Sequence, residues 1–188
     1  ATNVWTQKAD FGGGIRAYAV GFSIGAKGYI GTGLNGAGVA QADFWEWDQS
    51  TNTWTKKANC GGGGRTYAVG FSIGTKGYIG TGGWGFTWPS TYDDFWEWDQ
   101  PTNAWIKKAN FGGGKRGVAA GFSIGAKGYI GTGFTSSSTA PIKNFWEWDQ
   151  GTNIWTQKAD FGGGNRGEAK GFSILNYGYI GTGTSLIG

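Results

Sequence analysis

"GFSIGAKGYIGTG", Gly21–Gly33, is the stretch on which the fold turns, because it occurs four times. It returns at Gly70–Gly82 with one letter changed, at Gly121–Gly133 unchanged, and at Gly171–Gly183 as "GFSILNYGYIGTG". The starts are 49, 51 and 50 residues apart. Self-similarity at this period marks a chain built from stacked copies of one supersecondary unit, each too small to bury its apolar face alone. Within each copy two short apolar runs flank a turn, "GAKG" in the first, where Gly supplies the positive φ that a tight hairpin needs.

Working outward, "AYAVGFSI" (Ala17–Ile24) reads as a small-residue inner strand and "GYIGTG" (Gly28–Gly33) as its neighbour. "FWEWDQ" follows at Phe44, Phe95 and Phe145. Its alternation puts Trp45 and Trp47 on one face and Phe44 and Glu46 on the other. A turn, "QSTN" in the first copy, leads to "TWTKKA" (Thr53–Ala58), polar enough for an outer edge strand. The Trp after each "TN-x" falls at Trp5, Trp54, Trp105 and Trp155. No stretch has helical periodicity. The expectation is an all-β chain, residues 1–188 as a single domain. Its units of four antiparallel strands span about 10–58, 59–109 and 110–159, with a partial unit 160–188 and a leading strand 1–9.

These linked motifs, together with the Arg that ends each glycine run (Arg16, Arg65, Arg116, Arg166), resemble the kelch-repeat family over essentially the whole chain. The chain is most similar to the kelch arrays of secreted bacterial proteins. The resemblance implies β-propeller blades and an extracellular or cell-surface setting. "GTG" stands where many kelch units carry a Gly-Gly pair, a departure within the pattern. Three complete blades, a leading outer strand and a trailing pair point to a segment of a longer array, or a protomer completed by other copies. A closed four-bladed ring is the alternative. The absence of an initiator Met and of a leader-like start agrees with a chain processed, or cut from a longer one.

Composition narrows the chemistry. The chain has 188 residues, 40 of them Gly and 12 Trp, and no His or Met. Gly without a three-residue period excludes collagen, and this many large aromatics argue for a packed core. The net charge is +4, but the basic residues are spread through the repeats, so nucleic acid is not an expected partner. No apolar run approaches the roughly 20 residues of a membrane helix, so no membrane insertion is expected. Cys60 occupies the place of Phe11, Phe111 and Phe161 and reads as a small apolar substitute.

Without His there is no Ser-His-Asp triad, no Cys-His pair and no His-ligated copper or zinc. Similarity to kelch-type copper oxidases is therefore architectural only, and no metal or cofactor is expected. A glycosidase needs two matched carboxylates. Glu46, Asp48, Glu97, Asp99, Glu147 and Asp149 recur in every full unit, as structural acids do. Asp93 and Glu168 do not recur, and nothing marks them as an acid–base pair.

The glycine runs precede strands, so they are not phosphate loops, which require a following helix. Arg16, Arg65, Arg116 and Arg166 should lie near a channel mouth, holding carbonyls or a neighbouring carboxylate. Capture of an anionic or sugar-like group is their alternative role. The variable loops Leu34–Asp43, Gly83–Asp94 and Phe134–Asn144 should share that face. The middle one concentrates Trp84, Phe86, Trp88, Tyr92 and Asp93, a set suited to stacking on a sugar ring or entering a partner's pocket. The expected function is a non-catalytic binding, scaffold or adhesion module for a protein or glycan, assembling through its ends with other copies of itself. The alternative is a carbohydrate-active or sugar-isomerising kelch enzyme using Asp93, Glu168 or the channel arginines.

Overall fold

The computed structural model describes residues 3–83, 90–135 and 140–185. The first unit forms an antiparallel sheet of β2 (Val20–Ile24), β3 (Lys27–Gly31), β5 (Phe44–Asp48) and β6 (Thr53–Lys57), in that order. The second repeats it with β7 (Val69–Ile73), β8 (Lys76–Gly80), β9 (Phe95–Asp99) and β10 (Ala104–Lys107). The third does so with β12 (Ala120–Ile124), β13 (Lys127–Gly131), β15 (Phe145–Asp149) and β16 (Ile154–Lys158). A pair, β17 (Lys170–Ile174) and β18 (Tyr177–Gly181), follows. Two short pairs, β1 (Arg16–Ala17) with β4 (Leu34–Asn35) and β11 (Arg116–Gly117) with β14 (Phe134–Thr135), tie the glycine–Arg turns to the variable loops. Turns and loops therefore share one face.

Two expectations need correction. The inner strand read as Ala17–Ile24 is broken at Tyr18, whose φ of 56° is left-handed and cannot continue a strand. Of the leading strand read over 1–9, the described residues 3–9 form no strand, and Trp5 is fully exposed. Residues 3–9 are instead anchored at their end: the Ala9 N–H donates to Asn52 Oδ1, and the Trp54 indole donates to the Ala9 carbonyl.

The units stand side by side through their inner strands β2, β7, β12 and β17, as an open array rather than a closed ring. Small residues on these strands allow close approach, and Ser72 and Ser123 each donate a hydroxyl to the preceding unit's Ser23 and Ser72 carbonyls. The outer strands supply the rest of the core. Trp98 packs on Tyr29 and Phe44 of the unit before it, at 5.0 and 5.1 Å between ring centroids, and Trp105 lies 5.2 Å from Phe44. Trp148 and Trp155 repeat the arrangement on Tyr78 and Phe95. Gln100 and Gln150 then donate to the hydroxyls of Tyr29 and Tyr78. Trp98 and Trp148 are fully buried, whereas their counterpart Trp47, with no unit before it, is half-buried.

The last Gly of each of the first three "GTG" runs makes a further cross-unit bond. The Gly82 N–H donates to the Arg116 carbonyl at 2.7 Å, at φ +78°, and a Cβ there would stand 2.6 Å from the Thr66 carbonyl oxygen. Gly82→Ala is expected to lower stability by about 1–3 kcal/mol, read as a fall in the urea midpoint.

Candidate functional site

The arginines were the first candidates, and the structure turns three of them inward. Arg16 grips both carboxylate oxygens of Asp43 at 2.6 and 2.8 Å and donates to the carbonyls of Thr32 and Gly13. Arg65 repeats this with Asp94 at 2.6 and 2.8 Å and the carbonyls of Thr81 and Gly62, and it is fully buried. The planar fork explains why Arg and not Lys holds this place. Arg16 and Arg116 also lie over Phe11 and Phe111, at 5.3 and 4.9 Å. Cys60 cannot offer such a face, and Tyr92 supplies it, 4.9 Å from Arg65.

Tyr92 is thus engaged in the framework. Its N–H donates to the Gly82 carbonyl, while the Asp93 carbonyl accepts from the Phe111 N–H. Trp84, Phe86 and Trp88 lie outside the described residues. Arg166 is not enclosed in this way: it is half-buried, and among the described residues its side chain bonds only the Gly163 carbonyl, at 3.3 Å.

Burial pushes the Asp94 carboxyl up, but the Arg65 bonds and charge and the Trp96 indole outweigh it, leaving the group below its ordinary value of 3.8. Asp43, between Arg16 and Trp45, is lowered in the same way. A lowered folded value means the stabilisation is complete above the unfolded value and drains as the pH falls through the folded one. Thermal stability should therefore fall on acidification below about pH 4, and Asp94→Asn should flatten that profile.

The third unit departs from this pattern. Asn144 stands in the place of Asp43 and Asp94, and Arg116, fully buried, keeps only the Gly113 carbonyl. Its Nε and Nη1, the Asn144 Oδ1 and the Trp146 Nε1 have no partner among the described residues. Burial with no carboxylate nearby lowers Arg116 to about 10. Asn144→Asp is expected to stabilise the chain by about 1–3 kcal/mol at neutral pH, because it pairs a buried charge now left alone; a raised urea midpoint would show it.

A second place has the geometry of a site. Tyr18, Tyr67, Val118 and Glu168 occupy equivalent positions two residues after each Arg, all left-handed, with φ of 56°, 56°, 55° and 62°. The N–H of each of the last three donates to the carbonyl of its counterpart in the unit before: Tyr67 to Tyr18, Val118 to Tyr67 and Glu168 to Val118, at 3.2, 3.2 and 3.1 Å. Together with Lys170 they border a concavity of about 360 Å³ with alanines at its base. The Tyr18 and Tyr67 rings lie 4.3 Å apart between centroids. Burial, the hydrogen bond with Tyr18 and the Glu168 charge push the Tyr67 hydroxyl well above its usual range.

The concavity offers stacking faces, one carboxylate and one ammonium group, enough to orient a polar ring. It lacks a second carboxylate among its lining residues, so the two-acid geometry of a glycosidase is not assembled there. Sequence reading noted Glu168 and missed the tyrosines. The signal was the varied letter in "RAY", "RTY", "RGV" and "RGE".

No protein-family model matches the chain, and no curated protein sequence does. Among solved structures it is similar to that titled "Structure of YjhT", with a TM-score of 0.78 and 18% identity. The match covers 92% of this chain and 60% of that one, so this chain spans less than two thirds of the protein it resembles. At this identity the likeness shows a shared fold, repeated antiparallel β-sheets in the same spatial arrangement, and nothing of activity.

Proposed function

We propose that the chain is a kelch-type β-propeller segment acting as a non-catalytic binding module, which receives a sugar ring of a glycan in the mouth concavity. The carrying observation is the left-handed backbone at Tyr18, Tyr67, Val118 and Glu168. A position that serves only the backbone hydrogen bond is best filled by Gly, and a β-branched residue there is a marked outlier. Strain of about 1–3 kcal/mol at each such residue is retained where the side chain itself has a use. Here three kinds of side chain, Tyr twice, Val and Glu, stand on one repeated backbone, bordering one concavity. An extracellular or cell-surface setting and further protein partners at the loop face belong to the same reading.

A glycan array followed by calorimetry tests it. Tyr67→Ala and Glu168→Gln should each weaken the selected glycan about tenfold or more, with the urea midpoint little lowered. Unchanged binding in both variants would remove the mouth as the site. Turnover of a sugar that disappears with Glu168→Gln would favour the carbohydrate-active alternative.

A further inference from the structure

Beside β18 the third unit carries a concavity of about 340 Å³ floored by Phe122, Tyr129 and Phe145 and rimmed by Ala159, Phe161 and Gly178. The first two units have the same aromatic floor, covered in each case by a Trp of the following unit: Trp98 on Tyr29 and Phe44, and Trp148 on Tyr78 and Phe95. The molecule therefore displays, twice, what fits this surface.

Features around the third concavity match the same incoming segment residue by residue. Gly12, Gly61 and Gly112 each lie beneath the first Trp of an "FWEWD" strand, whose ring is 2.7, 2.5 and 2.6 Å from where a Cβ would stand; Gly162, their counterpart, has nothing within 4 Å among the described residues. Gly31 and Gly80 lie beneath the Phe of that strand, at 2.6 and 2.7 Å by the same measure, as Gly131 does beneath Phe145; Gly181 again meets nothing within 4 Å. The hydroxyls of Tyr29, Tyr78 and Tyr129 donate to Glu46, Glu97 and Glu147 across the strand pair, and Tyr179 has that register on β18. Arg16 and Arg65 clasp the Asp that precedes the Phe, while the Arg166 side chain bonds only the Gly163 carbonyl among the described residues. Ala58 and Ala109 are each held by an Asn and a Trp of the next unit's outer turn, and Ala159 is their counterpart on the rim.

We propose that this edge is a docking site for a two-stranded peptide of the type D-F-W-E-W-D-Q-x-T-N-x-W. Its first strand adds to β18, its second and third Trp cover Tyr129 and Phe145, its Gln reaches the Tyr129 hydroxyl, and its Asn and last Trp hold Ala159. Main-chain pairing at the open edge provides affinity, and the aromatic pockets provide specificity. An intact second copy does not fit. Its "FWEWD" strands β5, β9 and β15 are already paired on both edges, and the inner strands attached to them would collide with β17 and β18. One expected contact is absent: Tyr177 replaces the Lys that pairs with the strand's final Asp in each complete unit, so that carboxylate gains no ion pair.

The test is calorimetric titration of the full chain with a synthetic peptide of the sequence of residues 43–58. Stoichiometric one-to-one binding is expected, weakened about tenfold or more when the peptide carries Trp47→Ala. Gly162→Leu in the chain should abolish binding by filling the space of the first Trp. It should leave the urea midpoint of the free chain unchanged, since nothing lies within 4 Å of that position. No binding to the wild-type chain, or undiminished binding by Gly162→Leu or by the Trp47→Ala peptide, would overturn the proposal. So would sedimentation of the chain as a stable dimer that excludes the peptide, which would assign this edge to a second copy.

Discussion

Trp148→Ala is expected to lower the stability of the chain by about 3–5 kcal/mol. Trp148 is fully buried between two units, against Tyr78 at 5.1 Å and Phe95 at 5.0 Å. The indole nitrogen donates to Asn153 Oδ1 at 3.1 Å, so truncation leaves both a cavity and an amide short of one partner. The loss is a large share of the roughly 5–15 kcal/mol that holds an ordinary domain together. Urea unfolding followed by fluorescence should show the midpoint fall. The matching change at Trp47, which covers no preceding unit, should cost about 1 kcal/mol. Equal losses at the two positions would refute the account of stacking through Trp faces.

Asp94→Ala should be as damaging, about 3–5 kcal/mol, for an electrostatic reason. It leaves the guanidinium of Arg65, with no exposure at all, without the carboxylate that neutralises it. The Trp96 indole loses its acceptor in the same step. Removing both charges with Arg65→Met and Asp94→Leu should recover much of the loss, because no buried charge is then left unpaired. The double-mutant cycle measures the coupling. The third unit already carries the neutral Asn144 in the place of the Asp, leaving Arg116 without a carboxylate, which is why restoring Asp there is expected to add stability.

The four-fold repeat, the all-β character and the order of strands within a unit were legible in the sequence, since hairpin length, alternation and Gly turns are local properties. The roles of several residues were not. Cys60 looked like a plain substitution, but the missing aromatic face beneath Arg65 is supplied by Tyr92, far along the chain. Tyr18 was read as an ordinary strand residue, because a left-handed φ in a non-Gly residue leaves no sequence mark.

The sequence by itself determined the repeating unit, and also that no chemistry relying on His is available. Only the tertiary structure decided which faces are covered, which arginines are enclosed, and which glycines still lie open. Those outcomes depend on what each unit finds beside it. Identical letters at Trp47, Trp98 and Trp148 end half-buried, buried and buried because a preceding unit covers the last two and not the first.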